Sequence, residues 1–199
     1  MKRVLRFCST LIVIGALGSL AERVSASPES MAVRQMNLQQ MCSAAGRIFR
    51  GTVLGVKDGA VTVGGAQLST IVYSLRVDEA FKGSFEIYKD ERIATIQMIR
   101  PSKTPQIGPV RRLSAFDDLP RFEQGHDYLI LATTPSAAGL STTVGLGQGA
   151  FKVGGKVGQE IAVNGNNNIG LYAGMNLAPV RGPVAYSALR SQIRNIVGR

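Results

Sequence analysis

From Asn37 onward the chain carries two hydrophobic periods in succession, and their order predicts its elements. Leu38, Met41, Cys42 and Ala45 recur at i, i+3, i+4 and i+7, one face of a helix, and Asn37 with Gln40 three residues on has the form of a capping box. Gly46 ends that helix, and beyond it the period falls to two. Ile48 to Val56 reads as a strand, Asp58-Gly59 as a two-residue hairpin turn and Ala60 to Val63 as its return, because Asp-Gly accommodates positive φ.

The most regular strand lies in STIVYSLRVDEAFKG. Ile71, Tyr73, Leu75 and Val77 share one face there, and Thr70, Ser74, Arg76 and Asp78 mostly share the other. Ile93 to Ile99 is a further strand, apolar on both faces and stopped by Arg100-Pro101, and Asp127 to Thr133 is a central one. Shorter strands are expected at Leu140 to Val144, Gly149 to Val153 and Gln159 to Val163, separated by Gly-rich turns. A second helix, residues 184–197, closes the chain. Pro183 opens it, Leu189, Ile193, Ile196 and Val197 form its apolar stripe, and Arg190 and Arg194 point to solvent. Short strands joined by Gly turns, with a helix at each end, indicate a mainly β fold of barrel or sandwich type.

The N-terminus follows neither period. Lys2, Arg3 and Arg6 precede an apolar or small stretch from Cys8 to Leu20, and Val24-Ser25-Ala26 has the small-x-small form of a secretory cleavage site. Residues 1–26 therefore read as a signal peptide and 27–36 as a linker before one domain, 37–199. The apolar run falls well short of the roughly 20 residues a membrane-spanning helix needs, so no transmembrane segment is expected after cleavage and the destination is a periplasm or the exterior. Cleavage after Ala26 removes Lys2, Arg3, Arg6, Arg23 and Glu22. It leaves 19 basic and 12 acidic side chains in 173 residues (199 less 26) and lowers the net charge from +10 to +7. It also leaves Cys42 as the one cysteine, without an internal partner in an oxidising compartment.

Three blocks in order, MCSAAGRIFRGTVLGV, YSLRVDEAFKG and FEQGHDYLILAT, resemble the netrin-like, OB-fold domain of tissue inhibitors of metalloproteinases and of many exported bacterial proteins of undefined role. The matching positions are Cys42, Ala45, Ile48, Phe49 and Gly51; Tyr73, Val77, Phe81, Lys82 and Gly83; and Gly125, Tyr128 and Leu129. VGLGQGAFKV, residues 144–153, is similar to the segment that the bacterial relatives carry next. The resemblance implies a small OB-type (netrin-like) β-barrel with a short N-terminal helix and a C-terminal amphipathic helix, and a protease as a candidate partner. One departure limits it: the animal inhibitors chelate a protease zinc through an N-terminal Cys-x-Cys, whereas a mature chain beginning at Ser27 has no such pair. Cys42 instead resembles the internal cysteine before the first strand.

Candidate chemistry is sparse. His126 is the one histidine, so a hydrolase would have to use Cys42 with His126, yet His126 precedes a strand in a turn and Cys42 lies on an apolar helix stripe. One His, one Cys and no carboxylate cluster at ligand spacing provide no metal set and imply no cofactor. The glycines of VGLGQGAF lead into a strand and read as bulge or turn glycines, and Asn164-Gly165 with Asn166 to Asn168 reads as a turn or exposed loop. Arg100 to Arg121 holds four of the eight prolines, and its Arg100, Lys103, Arg111 and Arg112 form an acid-free basic loop able to bind an anionic polymer. Nucleic acid is disfavoured, because the chain has no Trp, and Phe116 and Phe122 read as anchors of the loop to the core. The expectation is an exported, non-enzymatic binding module that contacts another exported protein.

Overall fold

The computed structural model describes residues 33–100 and 119–198. The expected signal peptide and Lys103, Arg111, Arg112 and Phe116 lie outside the described residues. The first helix, α1 (Leu38–Ala44), forms as its spacing predicts. Gln40 N–H donates to Asn37 Oδ1 at 2.9 Å and Asn37 N–H to Gln40 Oε1 at 3.0 Å, so the capping box is complete. Leu38, Met41 and Cys42 are its buried face.

The strands are β1 (Arg47–Val63), β2 (Ala66–Lys82), β3 (Glu86–Tyr88), β4 (Glu91–Ile99), β5 (Asp127–Ala132), β6 (Ala150–Gly154), β7 (Ile161–Asn164) and β8 (Val184–Ala185), followed by α2 (Tyr186–Val197). They make one open antiparallel sheet in the order β3-β4-β2-β1-β5-β6-β7-β8.

The hairpin between β1 and β2 corrects the expected turn. The chain runs straight through Asp58-Gly59 and reverses at Gly64-Gly65, whose φ values of +57° and +82° suit a two-residue turn with both central residues left-handed. Two glycines meet that requirement without any Cβ penalty, and reversing there keeps Val61 and Val63 in the ladder. Gly59 is extended and lies opposite Thr70, where a Cβ would approach Thr70 Oγ1 to 2.7 Å. β4 also differs from expectation, because only Ala94, Ile96 and Met98 are buried and Thr95 is exposed. Leu140 to Val144 does not become a strand. Thr143 bridges Ala132, but Thr142 N–H then takes the side-chain oxygen of Thr133 instead of a carbonyl, and the ladder stops.

β5 is buried on both faces. Leu129 and Leu131 meet Phe151 and Val153 under Met41 and Cys42 of α1 and Leu189 and Ile193 of α2. Tyr128, Ile130 and Ala132 face the opposite way, into a second core with Phe49, Leu75, Val77, Ile96 and Met98. Phe122 joins that second core, edge-on to Tyr73 and to Tyr128 with both ring centroids at 5.0 Å. Three contacts draw the outer edge of β4 towards the segment after β5. Ser141 N–H donates to Gln97 O at 2.9 Å, and one Arg47 guanidinium nitrogen reaches both Thr95 O, at 3.0 Å, and Ser141 Oγ, at 3.4 Å.

α2 begins two residues later than expected, because Val184 and Ala185 pair with Ala162 and Ile161 on the edge of β7 before the helix turns. Its stripe is as read, but Arg190 and Arg194 do not simply face solvent. Both reach back to Glu79 on β2.

Candidate functional site

Beyond Phe122 the sheet face that carries the second core continues over β6 and β7 as an open groove of about 600 Å³. Ala150, Lys152 and Val163 line it from these strands, with Leu119 to Arg121, Gly145 to Gly147 and Asn164 to Asn166 beside them. A smaller apolar recess of about 270 Å³ shares Leu119 and Leu146 with it and extends to Met98 and Leu140.

The Asn-rich wall is built from inside. Residues 165–170 form the expected turn, but Asn168 within it is fully buried. Its Nδ2 donates to Ala162 O at 2.9 Å and Gly182 O at 2.8 Å, while its Oδ1 accepts from Asn164 N–H at 3.0 Å. Asn164 in turn accepts from the N–H groups of Asn166 and Asn168 and donates to Gln148 O. These bonds hold Asn167 and Asn168 at φ near +55°, a conformation that Asn tolerates better than other side chains with a Cβ. Gln148, nearly inaccessible, accepts from Met36 N–H and donates to Arg34 O, so its amide acts as a strand partner for residues 34–36 of the expected linker.

Charge on the groove comes from Arg121 and Lys152. Lys152 Nζ is 2.7 Å from Glu123, and the pair holds the Glu123 carboxyl below its ordinary range. Arg121 has no carboxylate within ion-pair distance among the described residues. Arg100, the one described member of the basic loop, pairs with Asp58 on β1, and its N–H donates to Ser69 O. It is therefore tied to the hairpin.

Cys42 and His126 are not brought together. Cys42 is buried beside the start of β1, near Ala132 at the far end of β5, since Gly46 N–H donates to Ala132 O. His126 precedes the near end of β5, and the strand between spans about 17–20 Å at 3.3 Å per residue. Burial pushes the Cys42 thiol up to about 11, against the pull of Lys82, so it is not activated as a nucleophile. His126 is half exposed, with Nδ1 3.6 Å from Glu123.

A second polar cluster went unread in the sequence. Glu79 accepts from Arg190 Nε at 2.7 and 2.9 Å, from Arg194 at 2.6 Å and from Tyr186 Oη at 3.0 Å. The Arg50 guanidinium lies 4.7 Å from the centroid of the Tyr186 ring and also pairs with Asp127 at 2.9 Å and Glu160 at 3.4 Å. Burial raises the Asp127 carboxyl, but bonds from Arg50 and Thr52 outweigh it and the net shift is downward. Arg190 and Arg194, four apart on one helix face, were a legible hint of a shared acidic partner; that the partner is Glu79 was not legible.

Among the described residues no group of three or more His, Cys, Asp or Glu side chains could hold a metal ion, and no helix is long and apolar enough to cross a membrane. No protein-family model and no curated protein matches this sequence.

Proposed function

We propose that this chain is an exported, non-catalytic binding module of OB-type, netrin-like architecture that docks another exported protein in the groove beside β6 and β7. The observation that carries the reading is the groove itself. It is large enough for several side chains of a partner and framed by rigidly bonded loops, with the cationic Arg121 on its wall. The barrel part of the reading draws on the contacts of Ser141 and Arg47 with the edge of β4 and on the Ala132–Thr143 bridge, which together lead β4 back towards β5. By resemblance, a protease is the first partner to try. The test is affinity capture from periplasm or culture fluid on the chain and on Asn166→Trp, which fills the groove from an exposed position. A partner retained by the chain and lost with the variant is expected; capture of nothing above background overturns the reading.

Arg121 favours a second reading, an anionic polymer bound by this wall together with the basic loop Arg100, Lys103, Arg111 and Arg112. Salt-sensitive retention on heparin should then fall when Arg111 and Arg112 become Ala. Unchanged retention removes it.

A further inference from the structure

We infer that the outer edge of β1 from Gly55 to Val63 is a self-pairing surface, at which a second copy of this chain adds its own β1 antiparallel to form one continuous sheet. β1 is paired with β5 only over Arg47–Thr52. Just beyond, Val53 exchanges backbone bonds with His126 O and Gly125 N–H, and Gln124 Nε2 donates to Leu54 O. From Gly55 onward no strand flanks that edge among the described residues, although every residue to Val63 is paired on the other side with β2.

The ladder fixes which backbone groups are left over. A two-residue turn at Gly64-Gly65 makes Val63 and Ala66 a hydrogen-bonded pair, so Val61, Gly59 and Lys57 also bond inward to β2. Arg100 N–H donating to Ser69 O, on the far side of β2, agrees with this alternation. The N–H and C=O groups of Val56, Asp58, Ala60 and Thr62 therefore point outward. An edge of this kind is normally guarded by proline, a bulge or several charges. Here the irregularities lie before or at Gly55, there is no proline, Lys57 and Asp58 are the only charges, and Val56 and Val63 are each more than two-fifths exposed.

Self-pairing about a two-fold axis sets residues opposite one another whose numbers sum to an even constant. Centring on Lys57 or Asp58 would place like charges face to face, which destabilises a sheet pair. Centring on Gly59 uses the whole edge. It sets Gly55 opposite Val63, Val56 opposite Thr62, Lys57 opposite Val61 and Asp58 opposite Ala60, and every outward N–H and C=O named above finds a partner. The two Lys57 side chains stand about 13 Å apart in that register. The two Asp58 side chains lie diagonally across the axis, and each is already paired with the Arg100 of its own copy.

The test is sedimentation of the purified chain over a concentration series, with hydrogen exchange read at single amides. A dimer is expected, and dilution should deprotect Val56, Asp58, Ala60 and Thr62 selectively while Lys57, Gly59 and Val61 stay protected by β2. Ala60→Pro removes one outward N–H without touching the β2 ladder, and should abolish the dimer with unchanged circular dichroism. Thr62→Lys is the independent variant, expected to weaken the dimer at least tenfold without any backbone constraint. A chain that is monomeric at every concentration, a dimer indifferent to both variants, or even-numbered amides protected only by a different protein would overturn the proposal.

Discussion

Replacing Glu79 by Gln should destabilise the fold at neutral pH and hardly at all in acid. Glu79 sits on β2 with only 19% of its side chain exposed and receives Tyr186 Oη, Arg190 and Arg194 from α2, the two arginines being 42% and 45% exposed. A part-buried hydrogen bond to a charged acceptor contributes about 1.5 kcal/mol, and each solvent-screened ion pair about 0.5 kcal/mol. Removing the charge while leaving an amide oxygen should therefore cost about 2 kcal/mol, or about 1 M in the urea midpoint at a slope near 2 kcal/mol/M.

Burial alone would raise the Glu79 carboxyl, but the bonds from Arg190, Tyr186 and Arg194 outweigh it and the net shift is downward. A carboxyl lowered in the folded state stabilises the fold fully above its unfolded value, about 4.3, and that stabilisation is lost as pH falls through the folded value. Urea unfolding of both proteins at pH 7 and at strongly acidic pH is the assay. Glu123, Asp127 and Glu160 are lowered as well, but they are common to both proteins and cancel in the difference. A midpoint gap that is absent at pH 7, or equally large in acid, would refute the account of the clamp.

Two further outcomes follow from buried groups. Cys42 should label with a thiol reagent only as fast as the protein opens, because it is 1% exposed and its thiol is raised to about 11; rapid stoichiometric labelling of the folded chain, or acceleration near pH 8 without unfolding, would contradict its place in the core. Asn168→Ala should lower stability by about 2–4 kcal/mol in chemical denaturation, since Ala162 O, Gly182 O and Asn164 N–H lose buried partners; a loss below about 0.5 kcal/mol would show that water replaces the amide.

What the sequence made legible was local. The Asn37–Gln40 box, the helix stripe with Cys42 and the central place of β5 depend on residues a few positions apart, and all three formed as read, whereas the strand read as apolar on both faces, Ile93–Ile99, buries only one. The hairpin turn was misplaced because two dipeptides six residues apart both suit a tight turn; Gly64-Gly65 takes both left-handed positions without a Cβ and leaves Val61 and Val63 in the ladder. Leu140–Val144 had the composition of a strand, and a side-chain oxygen from Thr133 interrupted it. The groove was illegible because it gathers residues from segments that no period connects, and Arg100 was spent on Asp58, forty-two residues earlier.

The double burial of β5 has a kinetic consequence. Its ladder joins Arg47 to Ala132, a separation of 85 residues (132 less 47), and neither core can close before that pairing forms. Topologies that depend on such distant pairing fold slowly, because loop closure comes before any contact rewards it. A chain emerging from its N-terminus thus has β1, β2 and β4 available as a meander, but no sealed interior until its last third arrives. Folding speed in this protein should accordingly respond to substitutions in Leu129 to Leu131 far more than to substitutions in the hairpin.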